Sequence, residues 1–154
     1  MDDLQKGRLL VFLQFGLIII LAVYPDSTTV DSRLNILGTV FIAIGLVLLF
    51  AGFRGLGKSL NANPVPNQDG VLVTTGIYSV VRHPIYLGLL IITFGLVVSS
   101  GVLAQFVPWA TLVILLTYKM RWEEVLLLAK YKGYAEYLTK VPAIVPGLKP
   151  RSKK

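Results

Sequence analysis

The chain has 154 residues, of which 55% are hydrophobic and only 15% charged, and it carries a formal net charge of +7. Soluble domains contain about 25% charged residues, so this composition excludes an ordinary soluble protein and indicates an integral membrane protein of one domain. Because it has no cysteine and one histidine, disulfides, cysteine nucleophiles and multi-histidine metal sites are excluded, and its charge favours contact with membrane lipids over nucleic acid.

The first two apolar stretches predict two membrane-spanning helices. Leu9 to Tyr24 is apolar apart from Gln14, and Leu34 to Phe53 contains no charged residue. The second stretch carries three glycines at a spacing of seven: Gly38, Gly45 and Gly52. This spacing puts them near one face of the helix, where another helix can approach closely.

A polar connection follows, from Arg54 to Arg82. Pro64 and Pro66 exclude regular helix there, and the β-branched run from Asp69 to Gly76 predicts a short extended piece. Non-helical backbone near a membrane is tolerated where it is buried in protein or lines a cavity. We therefore expect this connection to line a cavity.

The range Pro84 to Tyr118 has no charged residue and is too long for one crossing, which needs about 20 residues. It predicts a third and a fourth helix joined at Ser99–Gly101, with Pro84 in the first turn of the third. From Lys119 the chain becomes amphipathic, which predicts a C-terminal helix interrupted near Gly133. Residues 141–148 are expected to be irregular.

These elements predict an all-α integral membrane protein with about four transmembrane helices and a cytoplasmic C-terminal amphipathic helix. Four crossings put both termini on one side, and every Lys and Arg except Arg33 lies on that side. The positive-inside rule identifies it as the cytoplasmic side. In a prokaryote the membrane would be the cell inner membrane.

One short motif is rejected because its context is wrong. Gly52 to Ser59 matches the P-loop string G-x-x-x-x-G-K-[ST], which needs a strand before it and a helix after it to cradle phosphates. Here a predicted membrane helix precedes the motif and an asparagine–proline loop follows it. We interpret the segment as a glycine-rich helix exit with basic residues at the head-group level.

Two polar clusters lie on the predicted cytoplasmic side. The first, Arg82 with His83, precedes the third helix; the second follows the fourth helix and comprises Lys119, Arg121, Glu123 and Glu124. Carboxylates just beyond a membrane helix need cationic partners when they are partly buried. Two interpretations are open, namely a salt-bridged collar and a polar pocket for a charged cofactor.

Several segments, taken together and in order, carry a family resemblance. They are Val71 to Tyr78, the string R-H-P-x-Y-x-G at 82–88, the paired glutamates, and Tyr131, Tyr134, Tyr137, Val141-Pro142 and Pro146. With this composite motif the chain resembles the isoprenylcysteine carboxyl methyltransferase and phospholipid methyltransferase group of membrane enzymes. The resemblance implies methyl transfer from S-adenosylmethionine at the cytoplasmic membrane face.

The resemblance also implies roles for individual residues. The cofactor-binding set is Val71, Leu72, Val73, Tyr78, His83, Pro84, Ile85, Tyr86 and Glu123. The catalytic set is Arg82, Lys119, Arg121 and Glu124. Eukaryotic relatives have an arginine four positions before the first glutamate that contacts the acceptor's carboxylate; here Lys119 stands at that position, and Arg121 is the other candidate.

The chain is expected to be a single domain, residues 1–154, with two framing helices over 1–53, a cofactor-binding catalytic core over 54–148 and a disordered basic tail over 149–154. The expected acceptor is lipid-like or a small amphipathic molecule, with a carboxylate such as isoprenylcysteine as the first candidate. An amine acceptor would need a base, for which His83 or Glu124 is available. The alternatives are a membrane reductase of the steroid reductase-like type using NADPH, and a non-enzymatic membrane scaffold. No metal is expected.

Overall fold

The computed structural model describes residues 2–27, 29–66 and 69–147, and over these residues it contains helices and no β-strand. The α-helices are α1 (Asp3–Val23), α2 (Ser32–Leu56), α3 (Pro84–Ser100), α4 (Phe106–Lys130) and α5 (Tyr134–Lys140). Three short 3₁₀ helices, Gly57–Ser59, Gly76–Ser79 and Leu103–Gln105, lie between them. The predicted all-α class is confirmed, and the predicted basic tail lies outside the described residues.

Helix α1 begins at Asp3, before the apolar stretch that starts at Leu9, because polar residues cap it. The Asp2 carboxylate accepts a hydrogen bond from the Gln5 backbone N–H at 2.7 Å, and the Gln5 side chain accepts one from the Asp2 N–H at 3.2 Å. This reciprocal capping box satisfies two of the backbone donors that a helix start leaves unpaired. The cap therefore extends the helix beyond the apolar stretch that predicted it.

Helices α2 and α3 pack through the predicted glycine face. A Cβ atom placed on Gly38 would lie 2.5 Å from the Gly95 carbonyl oxygen, and one on Gly45 would lie 2.8 Å from the Gly88 carbonyl oxygen. Reciprocally, a Cβ on Gly88 would lie 2.8 Å from the Gly45 carbonyl oxygen. Only glycine lets the two backbones come so close, so the glycines spaced seven residues apart determine how α2 packs against α3.

Three helical segments are long and apolar enough to cross a membrane, counted over the described residues: Asp3–Val23, Ser32–Ser59 and Leu103–Lys130. Helix α3 is also apolar but has 17 residues. It ends where predicted, because Gly101 takes the left-handed conformation with φ of 66° that closes a helix C-terminus. The chain is thus an integral membrane protein whose helices present apolar side chains outward, including Phe12, Val47 and Ile114.

The second charged cluster lies inside α4, whereas the sequence placed it after the fourth helix. The amphipathic stretch from Lys119 continues α4 without a break as far as Lys130, and α5 follows after Gly133. The residues after α5 return to the start of α3, where the Arg82 and His83 backbone N–H groups donate to the Pro142 and Ala143 carbonyls at 2.9 and 3.0 Å. This return closes one end of the bundle.

The predicted extended piece at 69–76 forms no strand. No described strand is available to pair with it, and a 3₁₀ turn begins at Gly76, whose φ is 61°. The segment is held by side chains instead: the Tyr131 hydroxyl donates to the Gly70 carbonyl at 2.6 Å, and the Ser59 hydroxyl accepts from the Val71 N–H at 3.1 Å.

Candidate active site

A cavity of about 430 Å³ opens at the end of the bundle where the two polar clusters meet. Its walls come from α1, the C-terminal part of α2, the connection between α2 and α3, and the facing parts of α3, α4 and α5. Its volume is within the range of small-molecule sites, about 300–1,000 Å³. The predicted clusters do come together, because His83 and Glu123 both line this cavity.

Glu123 is the carboxylate that faces the cavity. Its Oε2 atom accepts a hydrogen bond from the Tyr86 hydroxyl at 2.7 Å. The described part of the chain places no Lys, Arg or His nitrogen within 4.0 Å of its carboxylate oxygens. A half-buried carboxylate that forms no salt bridge is costly in an empty site and suited to a cationic ligand.

Glu124 points to a different set of partners and does not line the cavity. Its Oε1 atom accepts from Arg82 Nε at 3.0 Å and Nη2 at 2.6 Å, and lies 3.1 Å from His83 Nε2. The remaining Arg82 nitrogen, Nη1, donates to the Leu138 carbonyl at 3.2 Å and to the Val141 carbonyl. This clamp, Arg82 with Glu124, ties α4 and the segment after α5 to the start of α3.

Lys119 supplies a buried cation on the opposite side of the helix from Arg121. Its side chain lines the cavity at 1% exposure, and Nζ donates to the Gln14 amide oxygen at 2.7 Å. The same ammonium lies 5.3 Å from the centre of the Tyr86 ring, within cation–π distance. Arg121 is exposed and is not among the cavity-lining residues.

Aromatic side chains form much of the remaining wall. The His83 and Tyr86 rings stack with centroids 5.5 Å apart and planes 21° from parallel. The Tyr78 hydroxyl donates to the Gly52 carbonyl at 3.2 Å, and the Tyr137 hydroxyl donates to the Tyr78 carbonyl. Burial, reinforced by the negative charge of Glu123, raises the pKa of Tyr78, so its hydroxyl stays protonated at physiological pH.

Tyr134 differs from its neighbours in having a buried hydroxyl without a hydrogen-bond partner among the described residues. Its side chain is 1% exposed and contributes to the cavity wall. Burial is the largest cause that raises its pKa, followed by the charge of Glu124. The hydroxyl is therefore neutral and available as a donor.

The positions of the sequence-predicted site residues divide into two groups. Those that line the cavity are Val71, Leu72, Val73, Tyr78, Arg82, His83, Ile85, Tyr86, Lys119 and Glu123. Those that do not are Pro84, Arg121 and Glu124. Pro84 instead occupies the first turn of α3, where it packs on Gly52 of α2.

Sequence reasoning did not assign Gln14 to the site, and it missed the polar side chains of the connection that line it, Asn61 and Asn63. Gln14 had a usable signal, because a lone polar residue inside an apolar helix is costly to bury and tends to have a partner. The asparagines had none, since Asn and Pro are ordinary loop residues. Asn63 is held in place by its own N–H to the Asn61 side chain at 3.0 Å and by the Leu4 carbonyl at 3.4 Å.

The model of the phospholipid methyltransferase family matches residues 34–133. No curated protein matches the chain. The matched range covers α2, α3 and α4 with both polar clusters, and it leaves α1 and α5 outside.

Proposed function

Because the chain belongs to the phospholipid methyltransferase family and is a membrane methyltransferase, we propose that it transfers a methyl group from S-adenosylmethionine to a lipid-like or small amphipathic acceptor. The observation that carries the proposal is Glu123, a carboxylate on the cavity wall beside Tyr86 that forms no salt bridge within the described chain. The cofactor has two cationic groups, a sulfonium and an ammonium, that such a wall would hold.

The lining residues fit this cofactor in size and in chemistry. The cavity of about 430 Å³ suits a nucleoside-sized ligand. Aromatic faces at Tyr78 and Tyr86 would lie against adenine or sulfonium, and the backbone of Val71–Val73 offers peptide groups along one wall. His83 and Ile85 would complete the cofactor site. Pro84 does not line the cavity and would contribute by fixing the first turn of α3.

When bound, the cofactor supplies a methyl carbon that an acceptor oxygen attacks while the carbon–sulfur bond breaks and its electron pair stays on sulfur as a neutral thioether. The chain has to align donor and acceptor and to exclude water. Attack by an anion neutralises charge in the transition state, so an apolar wall from Leu49, Phe53 and Leu89 favours the reaction over its separated ions.

Lys119 is the residue we propose to contact an anionic acceptor, such as the carboxylate of an isoprenylcysteine. Its ammonium lines the cavity, whereas Arg121 is exposed away from it. Lysine binds as a point charge and does not require the bidentate geometry of arginine. Arg82 and Glu124 would act indirectly, by holding His83 and the start of α3 in place.

We further propose four crossings, with α3 as the shortest, and both termini in the cytoplasm. An α3 of 17 residues is at the lower limit of a spanning helix. It packs antiparallel to α2 along their glycines, which supports a crossing beside α2 in the opposite direction. The cavity would then face the cytoplasmic leaflet, where the basic residues of the connection meet anionic lipids.

The test is equilibrium binding of S-adenosylmethionine to purified protein in detergent. Glu123→Gln should weaken binding about 10- to 100-fold, because hydrogen bonds to charged groups contribute about 1.5–3 kcal/mol. Glu136→Gln is the matched control, since Glu136 is exposed and pairs with Lys140 at 2.6 Å; it should bind like the wild type. Equal affinity in wild type and Glu123→Gln would remove the site assignment.

The same preparation separates the other function classes. A reductase would bind NADPH in preference to S-adenosylmethionine, and a scaffold would bind neither. Incubating membranes with methyl-labelled cofactor and identifying the labelled product would then name the acceptor. A labelled lipid or small amphipathic molecule is the expected product.

A further inference from the structure

We propose that Gln14 of α1 is a positioning residue that holds Lys119 away from Glu123, so that the cavity keeps separate cationic and anionic poles. The separation lets one cavity take a cationic cofactor and an acceptor carrying a carboxylate or phosphate. The inference rests on the proposed function and extends it to a helix that lies outside the family match at 34–133.

The contact between α1 and α4 is direct and buried. Lys119 Nζ donates to Gln14 Oε1 at 2.7 Å, with the two residues 1% and 6% exposed. Gln14 is the one polar residue before Tyr24 in the otherwise apolar stretch Leu9 to Tyr24. Burying an amide costs free energy unless it is hydrogen-bonded, so the pair accounts for a polar residue in this helix.

Lys119 and Glu123 would otherwise be expected to pair. They stand at i and i+4 on α4, the spacing at which opposite charges meet on a helix surface. The described residues form no salt bridge between them. Glu123 instead accepts from the Tyr86 hydroxyl at 2.7 Å, and Lys119 reaches across to α1.

Pairing of Lys119 with Glu123 would neutralise both poles. The carboxylate would lose its attraction for the ammonium of the cofactor, and the lysine would lose its attraction for an acceptor anion. By accepting from Lys119, the Gln14 amide oxygen satisfies the buried ammonium without cancelling its charge. An amide at position 14 therefore holds the Lys119 ammonium and preserves its positive charge, which a carboxylate there would neutralise.

The experiment measures the affinity of S-adenosylhomocysteine, the product form of the cofactor, for purified protein in detergent. Gln14→Leu frees Lys119 to pair with Glu123 and should weaken binding about tenfold. Lys119→Met should lose methyl transfer but keep its affinity for this probe. The double variant Gln14→Leu/Lys119→Met removes the competing cation and should regain affinity to within about threefold of the wild type.

A second variant keeps the test open if Gln14→Leu does not fold. Gln14→Glu still holds Lys119 but neutralises it, so probe affinity should stay near the wild-type value while labelling of a membrane lipid extract with methyl-labelled cofactor is lost. Thermal unfolding without ligand reports stability separately from binding.

Three results would overturn the inference. They are wild-type affinity in Gln14→Leu, equal weakening in the single and double variants, and loss of probe binding in Gln14→Glu. The second would show that Gln14 has a structural role only. Failure of the wild type to bind the probe would instead sink the proposed function, and the inference with it.

Discussion

The glycine face between α2 and α3 allows a sharp stability prediction at Gly45. A Cβ atom there would lie 2.8 Å from the Gly88 carbonyl oxygen, 2.8 Å from the Ile92 backbone nitrogen and 2.6 Å from Ile92 Cγ1. Optimal contacts between heavy atoms are about 3.5–4.0 Å, and two of the three neighbours are backbone atoms that no rotamer change can move. Alanine at Gly45 must therefore push the two helices apart by roughly 1 Å.

The expected cost follows from two opposing effects. Overpacking costs about 1–3 kcal/mol, while replacing a helical glycine with alanine returns up to about 1 kcal/mol of helix propensity. With the full propensity gain subtracted, Gly45→Ala should lower the free energy of unfolding by up to about 2 kcal/mol. Gly16 in α1 is the matched control, because a Cβ there meets nothing within 4 Å, so Gly16→Ala should raise stability by up to about 1 kcal/mol.

The assay is unfolding in mild detergent by titration with a denaturing detergent, followed by circular dichroism. The wild type should lie between the two variants. If Gly45→Ala unfolds at or above the midpoint of Gly16→Ala, the close approach of α2 and α3 is not a determinant of stability and the packing argument is wrong.

Two further outcomes follow from the site. Tyr137→Phe removes a hydroxyl that donates to the Tyr78 carbonyl and should destabilise the ligand-free protein by about 1 kcal/mol. Tyr134→Phe removes a hydroxyl that is unpaired in the described chain and should leave the stability equal or higher. Thermal unfolding of the two variants tests this, and the opposite order of stability would refute it. Arg82→Lys keeps the positive charge but loses the two-nitrogen contact to Glu124, which should cost about 1.5–3 kcal/mol. The loss should be seen as faster proteolysis near α5, and an unchanged cleavage rate would mean that the clamp does not hold the segment after α5.

Much of the architecture could be predicted from local patterns. The charge-free stretches predicted the apolar helices, and Gly101 predicted the end of α3. The family resemblance is confirmed by the match at 34–133. The apolar stretch from Leu9 did not locate the start of α1, because hydropathy does not register the Asp2–Gln5 cap.

The site was harder to predict because helix rotation decides it. Consecutive residues on a helix point about 100° apart, so Glu123 and Glu124 must face different surroundings, and the sequence does not say which faces the cavity. Lys119 and Arg121 are about 200° apart by the same geometry, so only one of them could line it. The packing of α4 against α1 and α3 made the choice, leaving Lys119 inside and Arg121 exposed.

Composition and periodicity alone determined that this chain is a helical membrane protein, because the number and length of its apolar runs leave no other way to satisfy the backbone in lipid. The glycine spacing in α2 also determined which face of that helix can pack closely, since a row of glycines leaves no side chains to keep another helix away. Only the tertiary structure decided which polar side chains meet, because Gln14 and Lys119 are remote in sequence and come within 2.7 Å through helix packing.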